Sequence, residues 1–273
     1  MSRSFALTLA ASLLAVAAAA PTAGAADVAV YDEAPVVAAA SNTDIVIELG
    51  LGGRISPEYE GSKDYEVSPF PIISLGYLNI PGVLEIGSLS PQGGGLSIGP
   101  SFGYVGERES RDYDELTGLS DVDATYEAGI KVGYEWQYAE VYGAARYAFG
   151  GGEGFVGEVG ANAIARPMQE LELKAGPFAS FASEDYTEAY FGVSAADSIS
   201  SGLAAYDPDG GFKSVGVAAS ARYEFRPDWF LNADASYSRF VGDAEDSPIV
   251  AVGDDNQYTF GLGLSKRFTL DLF

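Results

Sequence analysis

Apolar and polar residues alternate one for one over most of the chain. Leu96, Ile98, Pro100, Phe102 and Tyr104 are interleaved with Ser97, Gly99, Ser101 and Gly103. Ala124, Tyr126, Ala128, Ile130, Val132 and Tyr134 are interleaved with Thr125, Glu127, Gly129, Lys131, Gly133 and Glu135. Near the end, Tyr258, Phe260, Leu262 and Leu264 stand against Thr259, Gly261, Gly263 and Ser265. A period of two is the spacing of a strand with one apolar and one polar face. No stretch after residue 25 sustains a helical spacing.

The rhythm predicts about twelve strands, at 44–54, 65–78, 83–89, 94–105, 122–135, 137–149, 154–166, 170–182, 186–193, 211–225, 229–241 and 256–268. Each is near the ~10 residues that a tilted transmembrane strand needs. Pro81-Gly82, Gly150-Gly151-Gly152, Arg166-Pro167 and Arg226-Pro227-Asp228 are turn signals between them. Longer polar connections fall at 55–64, 106–121, 194–210 and 242–255. Counted back from a periplasmic C-terminus, twelve strands put 106–121 on the periplasmic side and the tight 135–137 link outside. That breaks the rule of short periplasmic turns and longer outer loops. The weak segments are near 79–94 and 183–210, and a count of ten strands is admitted.

Alternation alone does not separate a soluble barrel, apolar inside, from a membrane barrel, apolar outside. The polar face decides. It is rich in Gly and Ser and carries Glu127, Lys131, Glu158, Arg166, Glu172, Lys174, Arg222, Glu224 and Asp234 on one parity. Charges of both signs suit a wet lumen in which they pair across the bore. Aromatics stand at the ends of the apolar faces. Tyr126 and Tyr134 are separated by roughly 19 Å along the membrane normal, and Tyr258 and Phe268 by roughly 23 Å. Both are close to the ~25 Å apolar band between aromatic girdles. The expected fold is therefore all-β: a transmembrane antiparallel up-and-down β-barrel of about 12 strands, 10 being the other count.

The N-terminus adds a destination. Arg3 and the amino group make a short positive region, Phe5 to Ala20 is an apolar run, and Ala23-Gly24-Ala25 is a small-residue cleavage pattern. That order is expected of a secretory signal peptide. The expected organisation is a signal peptide at 1–25, a flexible lead at 26–43 and a barrel at 44–273, exported to the cell outer membrane.

Composition narrows the chemistry. The chain has no Cys and no His. Thiolate and imidazole metal ligands, Ser-His-Asp triads and Cys-His catalysis are all removed. Gly99-Pro100-Ser101-Phe102-Gly103 has the G-x-S-x-G pattern, but it lies within a strand and has no His partner. Gly152 to Gly157 has the G-x-G-x-x-G pattern, but it opens a strand rather than a helix. Asp207 with Asp209, Asp243 with Asp246, and Asp254 with Asp255 read as solvated loop residues. No catalytic, cofactor-binding or metal residue is assigned, and no enzymatic activity is expected. The formal charge of −24 repels nucleic acid and favours cations or a basic partner.

Specific words then recur in order: Pro57-Glu58-Tyr59-Glu60-Gly61-Ser62; Tyr190-Phe191-Gly192-Val193-Ser194 followed by Ser201-Gly202-Leu203, Tyr206 and Gly210-Gly211; and Gly242 to Val250 before the closing strand. Over roughly 44–268 this set resembles the MipA/OmpV family of outer-membrane proteins. The resemblance implies an outer-membrane barrel, in contact with outer-membrane lipid. It also implies a scaffold that links periplasmic murein enzymes, a lytic transglycosylase and a murein synthase (a penicillin-binding protein). The alternative function is a narrow cation-preferring pore for small solutes. The recurring words are expected to form a lid packed into the barrel mouth, a docking surface being the other reading. Gly61, Gly192, Gly202 and Gly210 would supply positive φ or close backbone approach, and Ser247-Pro248 would fix the start of a loop.

Overall fold

The computed structural model describes residues 43–89 and 94–272. The expected signal peptide and nearly all of the lead lie outside the described residues. Eleven strands form one antiparallel sheet: β1 Ile45–Pro57, β2 Tyr65–Ile80, β3 Leu84–Gly87, β4 Gly95–Val105, β5 Thr125–Glu135, β6 Ala139–Gly150, β7 Gly154–Met168, β8 Leu171–Ala182, β9 Gly211–Arg226, β10 Trp229–Phe240 and β11 Asn256–Leu270. Three short helices lie in the connections: α1 Glu184–Phe191, α2 Ala195–Ser201 and α3 Pro248–Val252.

The first strand pairs with the last, Ile45 opposite Leu270 and Ile55 opposite Phe260. Spatial order runs β3-β2-β1-β11-β10-β9-β8-β7-β6-β5-β4. The break in the ring therefore falls between β3 and β4, and β4 comes up beside both β2 and β3. The result is a nearly closed barrel. Every pairing is antiparallel, so following directions around the sheet makes β3 and β4 run the same way. They are two pieces of one interrupted crossing, the first paired to β2 and the second to β5.

That interruption resolves the sidedness conflict. The expected strand at 83–89 is four residues long and is not a separate traverse. The expected strand at 186–193 is mostly helix α1. With these two corrections, the connections after β1, β4, β8 and β10 share one end of the barrel. The links after β2, β5, β7 and β9 are short and share the other. The 106–121 segment thus stands with the other long loops, contrary to the twelve-strand count. By the rule that outer-membrane barrels keep short turns in the periplasm, the long connections face outward.

Helix α1 forms because its apolar side chains fit a helical face. Tyr186, Thr187, Tyr190 and Phe191 are its buried residues, spaced as one stripe on a 3.6-residue period. Glu184 and Asp185 occupy its first turn, where acid opposes the helix dipole favourably.

The wall has its apolar side outward. Leu49, Leu51 and Ile55 on β1 and Tyr258, Phe260, Leu262 and Leu264 on β11 are all exposed. Aromatics cluster near the outer rim, with ring centroids 5.4 Å apart for Tyr104–Tyr126 and 5.1 Å for Tyr237–Tyr258. Tyr134 and Trp136, 4.7 Å apart, stand near the opposite rim. No helix among the described residues is long and apolar enough to cross a membrane, so crossing falls to the strands.

Candidate functional site: the lumen and its lid

The inward residues of the wall build a charged lumen. Near the periplasmic end, Arg166 reaches Glu135 at 2.6 Å and also pairs with Glu172. Lys174 contacts Glu135 at 2.7 Å and Glu140 at 3.2 Å. On the other side Arg222 pairs with Glu48, which also accepts from the Ser265 hydroxyl. Higher up, Arg146 Nε donates to Glu127 at 2.6 Å and its Nη1 to Ser101 Oγ at 3.2 Å. Tyr142 donates to Glu158 at 2.8 Å, with the Lys131 ammonium 3.9 Å from its ring centroid. Tyr142 can lie flat across its neighbour because position 160 is glycine: a Cβ there would come within 2.6 Å of the ring.

The expected pairing of lumen charges is therefore found for Glu127, Arg166, Glu172, Lys174 and Arg222. Glu224 instead accepts from the Asp228 backbone N–H at 2.8 Å, tying a periplasmic turn. Asp234 meets Arg54 at 3.7 Å. Sequence parity had not singled out Glu48, Arg54, Glu140 and Arg146. They lie on the same inward face, and extending the alternation through β1 and β6 would have found them.

The outer mouth is filled by the long connections. Among the described residues, the fully buried large side chains include Tyr59, Leu116, Tyr186, Tyr190, Phe191, Val193 and Ile249 of those loops, with Phe230 on the wall. Tyr186, Tyr190, Phe191 and Val250 pack with Phe240 at the rim, while Tyr59, Leu116, Leu119, Val193 and Ile249 form a second cluster. All four long connections contribute, so the lid has a core of its own.

Hydrogen bonds lock the four loops together. Ser247 Oγ donates to the Phe191 carbonyl at 2.7 Å and accepts from Ile249 N–H at 3.2 Å, capping α3 ahead of Pro248. Arg108 Nη1 donates to the Tyr190 carbonyl at 2.8 Å. Tyr206 Oη donates to the Asp243 carbonyl at 2.8 Å, and Asp209 N–H to the Asp243 carboxylate at 2.7 Å. The Asp254 N–H donates to the Gly61 carbonyl at 2.8 Å. Gly61 and Gly202 have φ of 96° and 80°, and a Cβ on Gly192 or Gly210 would strike backbone. The recurring words of the sequence thus make a lid, as expected. The Asp254–Asp255 pair serves loop structure: Asp254 accepts from Asn256 N–H at 2.8 Å, and Asp255 meets Arg239 at 2.9 Å.

Lid and lumen meet around Tyr186. The Tyr186 hydroxyl lies 3.1 Å from Glu60, which pairs with Lys213, and 3.4 Å from Glu127 of the lumen network. Burial pushes the phenols of Tyr186 and Tyr190 well above their ordinary range. Tyr59 is pushed up to about 12 by burial, with the Glu115 charge adding to it. Burial acts on Arg108 in the opposite sense and lowers its pKa. Beneath the lid a cavity of about 640 Å³ is lined by Arg54, Phe70, Glu158, Phe178, Lys213 and Thr259, among others.

These features fit a known family. The model of the family described as MltA-interacting protein MipA matches residues 49–268. The chain belongs to the MipA family. It is similar to the Escherichia coli K12 protein YiaT, named as an outer membrane protein, with 29% identity over 172 residues. That match covers 59% of this chain and 65% of YiaT. It is 34% identical to the E. coli K12 MltA-interacting protein over 88 residues, 32% of this chain and 34% of that protein. The chain therefore spans less than two thirds of the length of either relative. Among solved structures, the COG4313 outer membrane channel of Pseudomonas putida F1 is 11% identical. It covers 87% of this chain and 100% of its own, with a TM-score of 0.43. The E. coli outer membrane protease OmpT is 10% identical and covers 84% of this chain and 98% of its own, with a TM-score of 0.32. The family match, the outer-membrane name of YiaT and the nearly closed antiparallel sheet make this MipA-family chain an outer-membrane β-barrel.

Proposed function

We propose that this MipA-family barrel works as an interaction protein, anchoring a periplasmic murein enzyme of the lytic transglycosylase class at the inner face of the outer membrane. The observation that carries this reading is the cored lid, which occupies the outer mouth with buried side chains from every long loop. A barrel whose bore is filled at one end and bridged by ion pairs below offers surfaces more readily than a path. The name of the E. coli MltA-interacting protein supports the choice of partner. A murein synthase is the second expected partner, and removal of residues 1–25 during export is part of the same reading. The test is capture from an envelope extract on the detergent-solubilised full barrel. Recovery of a murein-cleaving enzyme is the expected result, and repeated capture without one would end the proposal.

A narrow cation-preferring pore is the second reading, favoured by the cavity beneath the lid and by the formal charge of −24. Planar-bilayer recording separates the two. Discrete, cation-selective conductance steps would support the pore, and a silent bilayer would leave the anchor.

A further inference from the structure

The ring of strands is interrupted at one place. Over Tyr65–Gly76, β2 pairs with β1 on one side only, because β3 covers only Tyr77–Ile80. Facing it, β4 pairs with β5 on one side only. Among the described residues no ladder joins β2 to β4, although the two come side by side.

Prolines mark both edges of this gap. In an antiparallel ladder the N–H and C=O of a residue point to the same side, and successive residues point to opposite sides. Pro69 and Pro71 on β2 therefore face one edge together. A proline keeps its place in a paired strand only where its nitrogen turns away from the partner or the ladder breaks. The wall obeys this elsewhere: Pro167 sits where the β7–β8 register shifts, and Pro177 where pairing to β7 lapses between Gly160↔Phe178 and Ala163↔Ala175. Pro69 and Pro71 are opposite Gly53 and Leu51 in a continuous ladder, and Pro100 is opposite Ile130 in another. Their nitrogens must then point into the gap. Two consecutive gap-facing positions of β2 and the central one of β4 lack a donor.

The cavity beneath the lid runs out through this gap. Its lining includes the inward residues Phe70, Glu158 and Phe178 and also the outward residues Pro69, Pro71, Pro100 and Phe102. A space touched by both faces of a wall passes through it. The lumen beside the gap is mixed: Phe70 and Ile72 on β2 and Phe178 opposite offer apolar surface, and Arg54, Glu66, Ser68 and Ser180 line the same space. A protein strand would fit poorly there, since Pro69, Pro71 and Pro100 offer it no donor at the middle of both edges. A flexible hydrocarbon needs no donors, and the unpaired carbonyls of the edges can be hydrated from the lumen side.

We propose that the gap between β2 and β4 is a lateral portal, through which the acyl chain of a membrane amphiphile passes between the bilayer and the lumen. The lid closes the axial way out, so the wall is the open side of the cavity. This inference rests on the membrane-barrel fold and is independent of any murein partner.

The natural chain has no cysteine, so single fluorescent labels can be placed cleanly. Ser68→Cys puts a label on the inward face of β2 in the cavity lining. Ala218→Cys puts one on the inward face of β9, across the barrel, and Phe102→Cys puts one on the lipid face. Each labelled barrel is reconstituted in vesicles of ordinary phospholipid and of phospholipid brominated in its acyl chains. Bromine quenches only on close approach. The Ser68 label should be quenched several-fold more than the Ala218 label and nearly as much as the Phe102 label. Equal, weak quenching at Ser68 and Ala218 would overturn the portal. A second variant, Pro69→Thr with Pro71→Thr and Pro100→Thr, returns the missing donors. In its folded form, confirmed by heat-modifiable migration, quenching at Ser68 should fall toward the Ala218 level. Unchanged quenching there would overturn the role of the prolines. If that variant does not fold, the first comparison decides alone.

Discussion

On the wall Leu51 is 65% exposed and Phe102 57%, whereas in the lid Tyr186, Tyr190 and Phe191 are all 0% exposed. The same kinds of side chain are turned outward in one region and inward in the other. The wall satisfies its backbone in the ladder and gives its apolar face to hydrocarbon. The lid fills the outer mouth, and its loops bury their rings against one another and the rim as a small water-soluble protein would. The interior between them is polar and ion-paired. The difference teaches that hydrophobic burial is relative to the surrounding solvent, and one chain here meets two solvents.

The strongest way to break the comparison is to empty the lid core. Phe191 is fully buried, with its ring centroid 5.2 Å from that of Phe240. Phe191→Ala is expected to cost about 3–5 kcal/mol of lid stability. Hydrogen exchange should quicken across 183–210 and 241–255, while the ladder of β5–β8 stays protected. If the whole barrel loosens together, lid and wall are one cooperative unit and the separation drawn here fails.

The converse substitution probes the wall. Leu262 lies near the middle of β11 and is half-exposed on the outward face. Leu262→Arg should destabilise the barrel by about 2–4 kcal/mol, the cost of a cation at the bilayer midplane. Equilibrium refolding into vesicles measures it. A change near zero would mean that this face does not meet hydrocarbon.

The wall was legible in the sequence because each strand carries its own alternation, and the ladder keeps that pattern whatever surrounds it. The spans for β4 to β8 lie within a few residues of the observed ones for this reason. The lid was legible only as recurring words, because its core is assembled from four loops far apart in the chain. Helix α1 was missed since Tyr186, Tyr190 and Phe191 read as one more short apolar segment; the 186/187/190/191 stripe becomes meaningful once the loop folds over the rim. The split of one crossing into β3 and β4 was hidden for a different reason. Alternation continues through both pieces, and only pairing partners reveal that they are not two traverses. Among the lumen charges, parity found the face, while the partners across the bore depended on barrel closure.

A rise in pH should act on the lid before the wall. Tyr59, Tyr186 and Tyr190 keep their protons well above pH 10 in the folded lid, because burial opposes the phenolate. Unfolded, each would ionise near pH 10. The unfolded form therefore binds fewer protons above that pH, and the lid loses stability as pH climbs. The loss is absent below about pH 10 and amounts to about 1.4 kcal/mol per pH unit for each such tyrosine, until its folded pKa is reached. Limited proteolysis in the loops, followed between about pH 9 and pH 12, should show cleavage rising with tyrosinate absorbance. Cleavage that is flat across this window would place those phenols in water.

The smallest effect sharpens the comparison most finely, because it removes one hydroxyl from each region. Ser247 is fully buried, and its oxygen both caps α3 and holds the Phe191 carbonyl. Ser247→Ala should cost the lid about 1 kcal/mol, the usual worth of a helix cap. Ser236 makes one hydroxyl contact, at 2.7 Å to Thr259, on the water-facing side of the wall. Ser236→Ala should stay within about 0.5 kcal/mol, since water can replace the lost partner. Measured in the same exchange experiment, Ser247→Ala should also couple to Phe191→Ala, because removing the ring loosens the carbonyl that the hydroxyl holds. Additive effects of those two substitutions would mean that the ring and the cap stabilise separate parts of the lid, and equal costs for the two serines would remove the distinction between a dry lid core and a wet lumen.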